Sequence, residues 1–205
     1  MSDKPKNNPI RNPSGLPEGS PQGRLIPNGA KNLFITGKPG SGKTSLIREA
    51  CLPFMQNIGG FYTEEIRSGA GRDGFILKTF DGKHGVLAKK GMESPHKLNK
   101  YGLDLDVLDS IGVDSIRAAM EGKRVVVIDE IGSMEVFSEL FRKVLVECLG
   151  SKRRVLASIR YNAQPFTDEI KKMPDTALVY LSRENFIDTK KQVKQWLEAA
   201  CREQT

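Results

Sequence analysis

From Lys31 onward, short unbroken apolar runs alternate with longer segments in which apolar residues recur every three or four positions. The runs are Leu33–Thr36, Arg124–Ile128 (RVVVI), Val155–Ile159 and Ala177–Leu181. A run without polar alternation is expected of a strand covered on both faces. The clearest segment of the second kind is Ser138–Leu149, where Leu140, Phe141, Val144, Leu145 and Cys148 fall on one stripe of a helix. Ser41–Cys51 reads as a helix that Pro53 brings to an end. Ser110–Met120, Phe166–Met173 and Ile187–Cys201 read as further helices. Gly60–Ile66 is a strand leaving a Gly-Gly turn, and Leu103–Leu108 (LDLDVL) alternates like an exposed strand or the start of a helix. Gly74–Phe80 and His84–Ala88 flank Asp81-Gly82, a hairpin signal. The alternation predicts an α/β domain over residues 31–205, with a mostly parallel central sheet, helices on both faces and an inserted antiparallel hairpin.

Composition changes this picture at one end. Residues 1–30 carry Pro5, Pro9, Pro13, Pro17, Pro21 and Pro27 among Asn, Ser and Gly, and read as a disordered lead. Asp3 and Glu18, and the lack of an apolar face, argue against a transit peptide. The rest of the 205 residues suits one domain with a real core. A net charge of +7 favours anionic partners without choosing among them, and a solvated basic surface is its plain reading. Cys51, Cys148 and Cys201 stand far apart, as in a reducing compartment, and no run of about 18 apolar residues suggests a membrane span. A cytoplasmic monomer is the expectation, with a nucleic-acid or protein partner through the basic surface or tail left open. His84 and His96 read as isolated surface residues.

Candidate chemistry sits where the first apolar run ends. Gly37-Lys38-Pro39-Gly40-Ser41-Gly42-Lys43-Thr44 fits G-x-x-x-x-G-K-[ST] in full, and Ser45 extends the segment into the helix. Glycines let main-chain N–H groups turn inward as an anion cup, and the following helix adds the positive end of its dipole. Lys43 is expected on the β- and γ-phosphates and the Thr44 hydroxyl on Mg²⁺. A second strand, Val125–Ile128, ends in Asp129-Glu130, where open α/β sheets hold ligands. Asp129 is expected to reach the metal, and Glu130 to orient and deprotonate a water in line with the γ-phosphate.

Longer stretches extend these motifs: GKPGSGKTSLI, GGFYTEEIR, GRDGFIL, NKYGLDLDVLD, VVVIDEIGSMEVFSELF and SRENF. Together they resemble the THEP1-type nucleoside-triphosphatases, in order, over about 31–196. The resemblance implies a RecA-like P-loop fold. It also implies Mg²⁺-dependent hydrolysis of nucleoside triphosphates, slow and loose about the base. It puts Thr63–Arg67 near the phosphates, where Glu64 or Glu65 would place water or metal and Arg67 or Arg72 would neutralise charge, with a surface ion-pair cluster as the alternative. Of these, Arg67 is taken as the candidate arginine. Arg183-Glu184-Asn185 is expected near the base, with helix capping by Asn185 as the alternative, and Glu135 stays ambiguous. Two positions depart from the family pattern: Ser133 stands where Lys is common, and Phe186 where Arg is common. Two other readings remain, a P-loop nucleotide or nucleoside kinase and an RNA- or assembly-associated subunit with little turnover.

Overall fold

The structure is a computed structural model describing residues 26–27, 29–69 and 71–202. The expected disordered lead falls mainly on residues 1–25 and 28, outside the described residues. Among the described residues, nine strands form one sheet in the order β5-β6-β4-β3-β2-β7-β8-β1-β9. They are β1 (Asn32–Thr36), β2 (Ile58–Ser68), β3 (Gly71–Thr79), β4 (His84–Lys90), β5 (Lys97–Leu98), β6 (Tyr101–Leu103), β7 (Val125–Ile131), β8 (Arg154–Ile159) and β9 (Thr176–Tyr180). The helices are α1 (Lys43–Cys51), α2 (Leu105–Val107), α3 (Asp114–Gly122), α4 (Glu139–Gly150), α5 (Pro165–Ile170) and α6 (Phe186–Arg202). A π turn over Leu108–Val113 joins α2 to α3.

β2 is the seam of the sheet. On one side it runs parallel to β7, and β7, β8, β1 and β9 continue in parallel pairs. On the other side it runs antiparallel to β3, which leads through β4 and β6 to β5. Pairing with β7 ends at Tyr62, whereas pairing with β3 continues to Ser68. Residues Thr63–Ser68 therefore project past the carboxyl edge of the parallel strands as part of an antiparallel ribbon, with β4 on the far side of β3 from Gly74 onward.

Alternate residues of the parallel strands enter two different cores. Leu33, Ile35, Val125, Val127 and Leu156 pack with Leu46 and Ile47 of α1 and Val193, Trp196 and Leu197 of α6. Phe34, Val126, Ile128, Val155 and Ala157 pack on the other face with Ile116 of α3 and Phe141, Val144 and Leu145 of α4. That two-sided burial is why these strands read as unbroken apolar runs. Ile26 joins the first core, its N–H donating to Gln192 Oε1 at 2.8 Å, and Trp196 Nε1 donates to the Ala30 carbonyl at 2.8 Å. No helix among the described residues is long and apolar enough to cross a membrane.

The LDLDVL stretch divides between two elements. Leu103 is buried at the end of β6, and Asp104 caps the next helix by accepting from the Val107 N–H at 3.0 Å. Its alternation thus marks a strand end and a helix start, with an aspartate at the boundary. The two-residue strand β5 carries no periodic signal of its own.

Phe141 fixes α4 against the sheet, its ring meeting Phe61 edge-on at 6.2 Å. Truncating it leaves a cavity between layers that cannot close without moving a helix. Phe141→Ala is expected to lose about 3–5 kcal/mol, read as a lower urea midpoint at unchanged slope.

Candidate active site

At its start α1 lacks the side-chain cap that α2, α4 and α5 have. Ser138 Oγ accepts from Phe141 N–H at the start of α4, and Gln164 Oε1 accepts from Thr167 N–H in α5. The corresponding residue of α1 is Gly42, with φ 93°, no side chain and no acidic residue in the first turn. Helix-start N–H groups left this way face an acceptor from outside the helix. Glycine is required here twice over. The backbone at Gly42 is left-handed, and a Cβ would come within 3.0 Å of the Phe186 ring. At Gly37 a Cβ would lie 2.4 Å from the Leu181 carbonyl. The loop thus closes against the end of β9, and its own main chain faces a cleft of about 640 Å³.

Gly37, Pro39, Gly40, Gly42, Lys43, Thr44 and Ser45 line that cleft. Lys38 and Ser41 form the turn behind it, with Ser41 N–H donating to the Lys38 carbonyl at 3.1 Å. The Lys43 ammonium donates to the Gly37 carbonyl at 3.3 Å and stands 3.8 Å from Glu130 Oε2. Lys43 of the phosphate loop and Glu130 of the strand end, 87 positions apart, therefore meet.

The two acids differ in environment. Glu130 faces the cleft, its side chain about a third exposed. Asp129 is wholly buried, with Ser158 of β8 hydrogen-bonded to its Oδ1. Burial pushes the Asp129 carboxyl up to about 6, against hydrogen bonds from Ser158 and Thr44 that favour the ionised form. Its Oδ2 is buried without a hydrogen-bond partner. The peptide between the two acids is cis.

Glu135 completes the group, and only the structure resolves its ambiguity. It lies in the turn after β7, 5% exposed, and accepts from the Gly132 N–H at 3.1 Å. A Cβ on Gly132 would come within 2.9 Å of Glu135 Oε2 and 3.1 Å of Glu130 Oε1, so the two carboxyl groups flank that glycine. Burial, then the Glu130 charge, pushes the Glu135 carboxyl up to about 8.

The remaining expected residues scatter. Glu64 and Glu65 line the cleft on the projecting ribbon. Arg48 and Lys78 hold Glu64, at 2.6 and 2.5 Å. Arg67, the candidate arginine, is not among the residues lining the cleft; its side chain is 68% exposed and holds Glu65 at 2.6 Å. Arg72 reaches the cleft and also binds Glu65. Burial opposes these two guanidinium groups, yet they keep Glu65 below its ordinary value. Asn185 lies immediately before α6 and ties its start to β9, accepting from Ser182 N–H at 2.9 Å and donating to the Tyr180 carbonyl at 2.8 Å. The sequence reading passed over Arg160, Tyr161 and Asn162, which follow β8 and line the cleft. No motif marks them; the signal was their place after a buried strand, where β1 and β7 also carry their polar groups.

A family model described as NTPase matches residues 32–194. The nucleoside-triphosphatase THEP1 of Thermotoga maritima is 41% identical over 153 residues, 75% of this chain and 87% of that protein. The chain belongs to the THEP1-type nucleoside-triphosphatase family. The human cancer-related nucleoside-triphosphatase is 33% identical over 172 residues, covering 76% of this chain and 90% of the relative. The crystal structure of THEP1 from Aquifex aeolicus superposes with a TM-score of 0.74 at 30% identity, over 82% of this chain and 99% of that one. The solution structure of the human protein gives 0.70 at 31% identity. Against the family pattern, Ser133 accepts from Arg160 Nη1 at 2.8 Å, and Phe186 packs its ring on Gly42.

The raised Glu135 carboxyl makes stability pH-dependent. A carboxyl that holds its proton more tightly when folded contributes fully below its ordinary value of 4.5, and that contribution is lost as pH rises through about 8. Asp129 acts in the same direction through about 6. The melting temperature of the nucleotide-free protein should fall between pH 5 and pH 8, and Glu135→Gln should flatten the upper part of that fall. An unchanged slope in the variant would remove Glu135 from the account.

Proposed function

We propose that the chain hydrolyses nucleoside triphosphates to the diphosphate and inorganic phosphate, with Mg²⁺ and little preference for the base. The observation that carries this reading is one cleft holding an uncapped helix start, the Lys43 ammonium and the Glu130 carboxylate, the last two 3.8 Å apart. The names of the relatives agree with it.

Each group has a separate task. The N–H groups of the loop and the first turn of α1 bind the phosphate oxygens, and Lys43 places a positive charge between the β and γ positions. Glu130 accepts a proton from water as its oxygen bonds to the γ-phosphorus. The bond from phosphorus to the β–γ bridging oxygen breaks, and the nucleoside diphosphate leaves with that electron pair. The proton passes on to the products. Phosphoryl transfer of this kind depends chiefly on alignment and on neutralising charge.

The donor set also fits Mg²⁺. Asp129 Oδ2 is buried without a hydrogen-bond partner, beside a Thr44 hydroxyl that acts on the same carboxyl. Thr44 and Asp129, hard oxygen donors, would hold the ion, with water and phosphate oxygens completing its shell. An ion held there would supply positive charge to offset the charge developing on the leaving diphosphate. The sequence carries no Asn-Lys-x-Asp guanine-reading segment, which accords with loose base choice.

Phosphate release from ATP, GTP, CTP and UTP with Mg²⁺, set beside Glu130→Gln, tests the reading. The variant should bind nucleotide as the parent does and lose at least about a hundredfold in turnover. Release only after an acceptor is added would point to a kinase. Negligible release together with salt-sensitive RNA capture would point to the nucleic-acid reading.

A further inference from the structure

Resting on the hydrolytic reading above, we infer that Arg160 is the arginine that neutralises the γ-phosphoryl group in the transition state, supplied in cis from the end of β8. Among the described residues, the cations that line the cleft are Lys43, Arg72 and Arg160. Lys43 belongs to the phosphate loop. Arg72 is already bound to a carboxylate, Glu65, which it shares with Arg67. Arg160 holds only neutral acceptors. Its Nη1 donates to Ser133 Oγ at 2.8 Å and its Nε to the Asn162 carbonyl at 3.1 Å. Among the described residues it makes no ion pair with a carboxylate, so no direct partner cancels its charge. A guanidinium already paired with a carboxylate must break that pair before it turns to phosphate, and one on neutral acceptors exchanges far weaker bonds.

Position agrees with charge. β8 lies between β7, which ends in Asp129 and Glu130, and β1, which leads into the phosphate loop. Ser158 of β8 touches Asp129, and Arg160 stands two residues further on, the spacing that returns to one face of an extended chain. Its own N–H donates to the Ile131 carbonyl at 3.1 Å, which ties its backbone to the strand that carries Glu130. The guanidinium therefore starts from a rigid strand end flanked by both halves of the site. Ser133 parks it at the cleft wall without neutralising it. A planar fork of donors suits the equatorial oxygens of a transferring phosphoryl group, where charge spreads as the bridging bond breaks.

Steady-state phosphate release and binding of a transition-state mimic test the assignment together. Arg160→Ala should lower kcat by at least about a hundredfold with KM within a few-fold, since arginines in this role give roughly 10³–10⁵. Arg160→Lys should recover only part of the loss. Binding of the nucleoside diphosphate with Mg²⁺ should persist in Arg160→Ala, while added aluminium fluoride should no longer tighten it. A merely structural role would not separate those two measurements. Ser133→Asp leaves the arginine in place but gives it a carboxylate partner, and should lower kcat more than tenfold with an unchanged melting temperature. If Glu130→Gln stops turnover and Arg160→Ala stays within threefold of the parent, the assignment to Arg160 is overturned and the hydrolase reading stands. If the parent itself releases no phosphate from any triphosphate, the hydrolase reading fails and this inference with it.

Discussion

Main-chain N–H groups at the start of a helix need acceptors, and at α1 the chain offers none from the capping side chain. Ser138, Gln164 and Asp104 do this for α4, α5 and α2. Gly42 has no side chain to offer, and the Phe186 ring leaves no room for one. The loop around it curves so that its main chain lines a cleft, with an ammonium group inside. Every other part of the site is arranged about that concentration of positive charge. The glycines permit the curve, the end of β9 holds it, and the acids of β7 stand opposite.

The sheet makes that arrangement rigid. β1 and β7 lie in one parallel array with β8 between them, and their residues are locked into apolar layers on both faces. The interposed strand sets the separation of the loop from the acids and brings polar side chains of its own, Ser158 and Arg160, into the gap. Burial then differentiates three carboxyl groups placed close together. Asp129 is enclosed with one unpartnered oxygen, Glu130 faces the cleft beside Lys43, and Glu135 is raised far enough to hold a proton near neutrality. Three acids of one sign in a small volume are tolerated because only part of that charge is present at once.

Much of this was legible in the sequence. The strand runs and the stripe of α4 follow from two-sided burial and helical period, and the phosphate loop from glycine spacing. The family follows from longer stretches such as FYTEEIR and DEIGSME. What stayed hidden depended on contacts far apart in the chain. The sequence left Arg67 and Arg72 open between the phosphates and a surface ion-pair cluster, and that both hold Glu65 took three dimensions to see. Arg160 lacked a motif, since its importance comes from the strand it follows and from having neutral neighbours. β5 was too short for any period, and the boundary inside LDLDVL needed the cap made by Asp104.

The central claim is that the amides from Gly40 to Ser45, with Lys43, grip a polyphosphate. Amide chemical shifts of isotope-labelled protein, followed as a non-hydrolysable nucleoside triphosphate and Mg²⁺ are added, report on those groups directly. The account predicts large downfield shifts at Gly42, Lys43 and Thr44, saturating together with smaller changes at Asp129 and Glu130. Binding that leaves those amides unmoved, while shifts gather on another face of the sheet, would contradict it.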